Sequence, residues 1–244
     1  MPVRVPTGRL PAVEEPDRST HISTVRLAVA AAALKVGRDP FSVSILPVTK
    51  GFPPEILRDV AAAGFQAVGE NRVAEVITKR AVLDELELTC HMIGHLQRNK
   101  APVAVQMCDR IDSVDSMRLA RRLDSVAADV GREQLAVLVQ VNASGESSKG
   151  GFRVSEAVDS IASICVLPNL SVQGLMTMAP IDADERMLHG IFSRTRQCLE
   201  ECSRQISGFC GLELSMGMSG DFEIAIAEGA TQVRLGTALL GERP

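Results

Sequence analysis

The stretch SILPVTKGFPPE, residues 44–55, sets the pattern from which the fold can be predicted. Its first five residues are mostly apolar and typical of a β-strand. A glycine at position 51 and prolines at positions 53 and 54 prevent that strand from continuing. Lys50 is therefore predicted to lie where a strand ends and a loop begins.

The same unit, an apolar run followed by a turn signal and then a helical segment, recurs along the chain. The predicted strands are residues 43–48, 66–69, 88–93, 110–114, 135–142, 171–176, 212–216 and 232–236. The predicted helices are residues 19–36, 54–63, 72–86, 97–107, 116–129, 155–166, 184–206 and 221–228. Strict alternation of this kind predicts a parallel sheet that is covered by helices.

Eight such units on a chain of 244 residues favour an α/β fold that closes into a single (β/α)₈ TIM barrel, with an extra helix before the first strand. The alternative is an open doubly wound sheet. That fold usually carries a glycine-rich fingerprint after an early strand, and the sequence GENRV after the second strand is not one. In a barrel, the carboxyl ends of all strands meet at one mouth, and Lys50 would stand there.

Composition excludes several functions. A net charge of -4 and the absence of tryptophan and tyrosine argue against nucleic-acid binding. Six cysteines without paired spacing are predicted to be reduced thiols, and a metal at Cys198 and Cys202 is disfavoured because further ligands are missing nearby. Residues 1–18, with four prolines, are predicted to be a flexible tail on a cytoplasmic protein, and residues 19–244 to be the barrel.

The chain has five lysines, so each can be considered separately. Lys35 and Lys79 lie in helical segments beside polar residues and are predicted to be solvated. Lys100 starts a helix and Lys149 lies in a polar loop. Lys50 ends an apolar strand, where partial burial would lower the pKa of its amine and favour attack on a carbonyl; a lysine engaged in a salt bridge is the alternative.

The C-terminal fifth contains two glycine-rich turns, SMGMSGD at residues 215–221 and LGTALLG at residues 235–241. Small residues at the ends of the seventh and eighth strands allow backbone N–H groups to approach a phosphate. Tight turns that simply need glycine are the alternative for either loop alone. Together with Lys50, the loops favour an aldehyde that carries a phosphate, and pyridoxal 5′-phosphate (PLP) meets that requirement.

Seven blocks in order, LPVTKGFPPE, VGENRVAEV, HMIGHLQRNK, IDSVDS, VLVQVNASGESSKGGF, GLMTMAP and LSMGMSGDFEIAIAEGATQVRLGTALLGER, resemble the YggS/PROSC family of pyridoxal-phosphate homeostasis proteins. The resemblance covers about residues 43–243. It implies a single barrel like the N-terminal domain of alanine racemase, a fold type III PLP protein, with the cofactor held as a Schiff base on Lys50. It also implies a role in balancing the intracellular PLP pool, without an established catalytic turnover.

The same resemblance assigns the remaining cofactor-binding residues, and it assigns no metal ligand and no catalytic residue. The phosphate-holding positions match Ser215, Gly217, Met218, Ser219, Gly236 and Thr237. Arg234 matches the arginine beside the pyridine nitrogen, where a cation weakens the electron sink that carbanion chemistry needs. Asn71 and Met176 match positions that line the ring, although Asn71 could instead cap a helix.

Three functions remain open at this point. The first is a carrier that releases PLP to PLP-dependent apoenzymes and exists as a monomer or weak homodimer. The second is an amino-acid racemase, which would use a tyrosine and a second domain; the sequence contains no tyrosine, and a second domain is not expected after the eighth unit. The third is an aldolase in which the substrate itself forms the Schiff base with the lysine.

Three further residues were considered. His95 is a candidate for contact with the site, whereas His91 lies within a strand. Cys90 stands where the family often has tryptophan.

Overall fold

The computed structural model describes residues 18–146 and 149–242. Nine strands are present in this part of the chain: β1 (Ser44–Pro47), β2 (Ala67–Glu70), β3 (Thr89–Met92), β4 (Arg110–Val114), β5 (Leu135–Asn142), β6 (Phe152–Arg153), β7 (Leu170–Met176), β8 (Glu213–Ser215) and β9 (Gln232–Leu235). All eight predicted strands are confirmed, with small shifts at their ends. β6 was not predicted; it pairs with β5 and stands outside the main order of strands.

The helices of the described residues are α1 (Arg18–Lys35), α2 (Ile56–Ala62), α3 (Val73–Glu85), α4 (Ala101–Met107), α5 (Met117–Asp129), α6 (Val154–Cys165), α7 (Glu185–Gln205), α8 (Phe222–Ala227) and α9 (Thr237–Leu240). A 3₁₀ turn at Arg98–Lys100 precedes α4. The predicted tail over residues 1–18 falls outside the described residues except for Arg18, which is the first residue of α1. No helix in the described part of the chain is long and apolar enough to cross a membrane.

The strands form a nearly closed parallel barrel. Their order is β1-β9-β8-β7-β5-β4-β3-β2, and a single bridge from Val48 to Gly69 joins the two ends. The predicted barrel is therefore confirmed, and the open sheet is excluded. Because every strand of this order runs parallel to its neighbours, all of their carboxyl ends lie at the same mouth.

Strand side chains divide into two sets. One set, which includes Val233 and Leu235 at alternate positions of β9, belongs to the large apolar cluster that also contains side chains of the helices. Leu46, Val48 and Ile93 form a separate small cluster. Since successive side chains of a strand point to opposite faces, we assign this second cluster to the barrel interior. Lys50 follows two residues after Val48, beyond the end of β1 and at the mouth of the barrel.

Candidate functional site at the barrel mouth

The ten residues predicted to bind the cofactor occupy one continuous sector of the barrel. They lie in or directly after five strands that are consecutive around the barrel: β7, β8, β9, β1 and β2. β9 is the immediate neighbour of β1, with Leu46 opposite Arg234 in the register. The glycine-rich turns and Lys50 therefore lie side by side at the mouth.

The sector is buried at its base and accessible at its rim. Met176, Ser215, Gly217 and Arg234 are buried. Lys50, Asn71, Met218 and Gly236 are partly exposed, and Ser219 and Thr237 are exposed. A ligand entering from solvent would thus meet the rim residues first, with the buried side chains beneath it.

Lys50 lies in a tight turn. The N–H of Phe52 donates to the carbonyl of Thr49 at 3.1 Å, and Gly51 has φ 75°. A positive φ at the third residue, with this hydrogen bond, is the pattern of a type II turn, in which glycine is favoured at that position. Lys50 occupies the second position of the turn.

Charged side chains hold both peptide groups that flank Lys50. Lys79 Nζ donates to the carbonyl oxygen of Thr49 at 2.6 Å. Glu75 Oε2 accepts from the N–H of Gly51, also at 2.6 Å. Lys79 Nζ makes a second bond of 2.6 Å to Glu70 Oε1, which also accepts from the hydroxyl of Thr49.

The interpretation of Lys79 as a solvated lysine is wrong. Its side chain is 2% exposed and that of Glu70 is 0% exposed. Burial raises the pKa of Glu70 above its ordinary value, and the attraction of Lys79 opposes that rise only in part. Lys79 lies on the buried face of α3 with Val76 and Leu83, and this spacing of three and four residues was the sequence signal for its burial.

Arg234 lies inside the barrel at 4% exposure. Its guanidinium donates to the carbonyl and hydroxyl oxygens of Ser215, at 2.6 and 2.9 Å, and to the carbonyl of Thr177 at 2.8 Å. Burial lowers the pKa of Arg234 to about 10, against the attraction of Asp112 and Asp221. It remains a cation at neutral pH.

The two glycine-rich turns differ in what they require. Gly217 has φ 96°, and a Cβ at this position would lie 2.6 Å from the Cβ of Ala225, so glycine is needed for both conformation and space. The N–H of Met218 donates to Asp221 Oδ1 at 2.5 Å, which fixes the loop before α8. After β9, α9 starts at once with Thr237, and an N–H at the first position of a helix has no intrahelical acceptor.

Asn71 does not cap the following helix. The N-cap position of α3 is Arg72, and no side chain caps that helix. Gly94 passes so close to Asn71 that a Cβ on Gly94 would lie 2.2 Å from the carbonyl oxygen of Asn71. The backbone of Asn71 is thereby held at the rim, and helix capping no longer explains its side chain.

A polar network that sequence reasoning missed lies inside the barrel beneath the site. The Arg110 guanidinium donates to Asp112, with Nε–Oδ1 2.6 Å, and to Glu213. It also donates to Gln232 Oε1 at 3.1 Å, and the same oxygen accepts from the hydroxyl of Ser215 at 3.0 Å. The network therefore extends through Ser215 to Arg234. Alternation along β4, β8 and β9 was the available signal for these inward positions.

The two histidines considered from sequence occupy different environments. His95 Nδ1 contacts Asp115 Oδ2 at 2.9 Å, and its side chain is 71% exposed. His91 is largely buried, with its Nδ1 3.9 Å from Asp112 Oδ2 and without a hydrogen-bond partner. Burial lowers the pKa of His91 to about 4, so it is neutral at physiological pH.

The six cysteines are free thiols. Within residues 18–146 and 149–242, no group of three or more His, Cys, Asp or Glu side chains could hold a metal ion. A cavity of about 730 Å³ between α1, α2 and the end of α9 contains none of the ten predicted residues.

Comparison with known proteins places the chain among its relatives. Residues 40–244 match the family model described as alanine racemase, N-terminal domain, so the protein is of that class. A pyridoxal phosphate homeostasis protein from Pseudomonas aeruginosa is 39% identical over 91% of this chain and 94% of its own length. The chain belongs to the family of pyridoxal phosphate homeostasis proteins.

Solved structures agree with this assignment. The PipY protein of Synechococcus elongatus, determined with PLP bound, superposes with a TM-score of 0.76 at 36% identity, covering 88% of this chain and 100% of that one. An alanine racemase from Clostridium difficile superposes with a TM-score of 0.72 at 17% identity, covering 90% of this chain and 57% of that one. At that identity the racemase supports the fold alone.

Proposed function

We propose that this protein holds PLP reversibly on Lys50 and contributes to the balance of the cellular PLP pool. The observation that carries the proposal is the placement of three chemically different groups in one sector. Lys50 follows directly after β1, and β9 beside it supplies both Arg234 and the turn at Gly236 and Thr237. These groups fit an aldehyde, a ring nitrogen and a phosphate.

The residues divide the binding task among them. When bound, PLP supplies an aldehyde whose carbon bonds reversibly to a primary amine as the carbonyl oxygen leaves as water. Lys50 is the amine for that bond. The turns at residues 217–219 and 236–237 would hold the phosphate, Asn71 and Met176 would line the ring, and the Arg234 guanidinium would disfavour protonation of the ring nitrogen.

We propose further that the protein is a carrier with no significant catalytic turnover. A cationic Arg234 beside the ring nitrogen would weaken the electron sink that carbanion chemistry uses. The chain also has no tyrosine to act as a second acid or base. Release to PLP-dependent apoenzymes in the cytoplasm would complete the role, and the six free thiols are typical of a reducing compartment.

The test is an absorbance spectrum of the purified protein after addition of PLP, followed by borohydride reduction and peptide mapping. We expect a visible band and a reduced label on Lys50. Lys50→Ala should lose the band but keep its fold and its affinity for pyridoxine 5′-phosphate, which has the ring and phosphate without the aldehyde. Lys35→Ala, at an exposed lysine of α1, is the matched control and should keep the band.

A label on a different lysine, or an unchanged band in Lys50→Ala, would refute the assignment of Lys50. An alanine racemization assay on the same preparation tests the carrier role. Interconversion of L- and D-alanine at a turnover on the order of 10 per second, typical of ordinary enzymes, would refute it.

A further inference from the structure

We propose that Glu75 and Lys79 are positioning residues that set the direction of the Lys50 side chain by fixing the peptide groups on both sides of it. This inference rests on the proposed function, because it assigns these residues a role in the bond between Lys50 and the aldehyde. Neither residue belongs to the ten predicted for the site. Both belong to α3, which packs beside the turn.

The first contact is to the peptide before Lys50. The carbonyl of Thr49 accepts from Lys79 Nζ at 2.6 Å and from the N–H of Phe52 at 3.1 Å. The N–H of Thr49 donates to the carbonyl of Gly69 at 3.1 Å, on the strand that closes the barrel. Thr49 is therefore held through its N–H, its carbonyl and its hydroxyl, the last bonded to Glu70.

The second contact is to the peptide after Lys50. In a type II turn the central peptide, here between Lys50 and Gly51, is flipped relative to a type I turn. Glu75 accepts the N–H of this peptide at 2.6 Å, a charge-assisted bond that favours the observed orientation. Without that acceptor the central peptide can rotate, which changes ψ of Lys50 and therefore the rotamers that its side chain can adopt.

The contacts of Glu75 and Lys79 are expected to matter more for the position of Lys50 than for the stability of the fold. Lys79 and Glu70 are 2% and 0% exposed, and a buried ion pair of this kind commonly contributes little net stability because both charges are desolvated. A lysine that must reach an aldehyde depends strongly on direction, and a misplacement of about 1 Å can slow a reaction about 100-fold. The contacts are therefore better explained by what they do for Lys50.

The experiment measures two quantities in each variant: the rate at which added PLP produces the visible band, and the dissociation constant of pyridoxine 5′-phosphate. Glu75→Ala removes the acceptor at a side chain that is 25% exposed, so the protein should fold. We expect the rate to fall about 10- to 100-fold while the dissociation constant changes less than about twofold. Glu75→Gln keeps an oxygen acceptor and should recover most of the rate.

Glu85→Ala is the matched control, since Glu85 lies at the other end of α3 and bonds to Arg58 on the surface. Its rate should equal that of the unchanged protein. An unchanged rate in Glu75→Ala would overturn the proposal, and so would a Glu75→Gln variant as slow as Glu75→Ala. Equal losses in rate and in pyridoxine 5′-phosphate affinity would indicate general damage and would also overturn it. If the unchanged protein forms no band, the proposed function itself fails, which is a distinguishable result.

Discussion

Replacing Lys79 by methionine should destabilise the protein strongly, because Glu70 would remain buried without its partner. Methionine preserves the length and apolar volume of the side chain but removes both hydrogen bonds of Nζ, to Thr49 and Glu70. Breaking a buried ion pair from one side typically costs about 3 to 5 kcal/mol of unfolding free energy. Glu70 also has a second oxygen, Oε2, without a hydrogen-bond partner, so in the variant only the hydroxyl of Thr49 would still bond to the carboxylate.

The double variant Lys79→Met/Glu70→Leu separates the charge from the packing. With both charges gone, no unpaired ion is left, and the double variant should be more stable than Lys79→Met alone by at least about 2 kcal/mol. Urea unfolding followed by circular dichroism at pH 7 measures these differences, provided that the slopes with denaturant agree. Lys35→Met, on an exposed lysine, should stay within about 0.5 kcal/mol of the unchanged protein.

The pKa of Glu70 determines the direction in which the stability loss of Lys79→Met changes with pH. The pKa of Glu70 is raised in the folded state, so folding favours its protonated form. The stability linked to this group is present below the ordinary glutamate pKa of about 4.3 and is lost as the pH rises through the folded value. In Lys79→Met no cation opposes the rise, so the deficit relative to the unchanged protein should shrink on acidification. A deficit below about 1 kcal/mol at pH 7, or one that does not change with pH, would refute this reasoning.

Two further predictions concern the barrel interior and the glycine-rich turn. The pKa of His91 is lowered from 6.5 to about 4, so folding favours its neutral form; the stability linked to it is present above pH 6.5 and lost as the pH falls through 4. Between these two pH values, His91→Gln should therefore lose about 3 kcal/mol less unfolding free energy than the unchanged protein, as measured by urea unfolding at each pH. Equal losses in the two proteins would contradict this. Gly217→Ala combines a positive φ with a 2.6 Å contact to Ala225 and should lower the unfolding free energy by roughly 2 to 4 kcal/mol. Gly131→Ala, at φ 67° with nothing within 4 Å of the added Cβ, should lower it by about 1 to 2 kcal/mol. Equal losses in the two variants would show that crowding at Gly217 is unimportant.

The strands could be predicted from sequence because each is a short apolar run bounded by glycine, proline or polar residues. β6 was not predicted because it is a strand of only two residues, Phe152 and Arg153, after a polar loop. α9 was not predicted because it starts at Thr237 directly after a glycine, and the sequence there is equally typical of a turn. Both omissions concern elements too short to show a period.

The ten residues predicted for the site lie together at the mouth, and their role in binding stays a prediction. Lys50 was singled out because it ends a strand, and Arg234 because it matches an arginine of the family, which alternation along β9 allows to face inward. The partners of Lys79 could not be found in the same way, because Glu70 lies on a different element and local composition carries no information on pairing across elements. The bond from Arg110 to Glu213 joins residues 103 positions apart and needs the closed barrel to exist.

The contacts of Arg234 bear on the kind of ligand that the proposed site would accept. Within the described residues, its side-chain hydrogen bonds all go to neutral oxygens, those of Ser215 and Thr177, and none to a carboxylate. Arg110 instead bonds to two carboxylates, those of Asp112 and Glu213. The charge of Arg110 is therefore neutralised by two neighbouring carboxylates, whereas the field of Arg234 is only partly compensated, by Asp112 and Asp221. A lysine-bound aldehyde with an anionic phosphate is the kind of ligand that such a field stabilises.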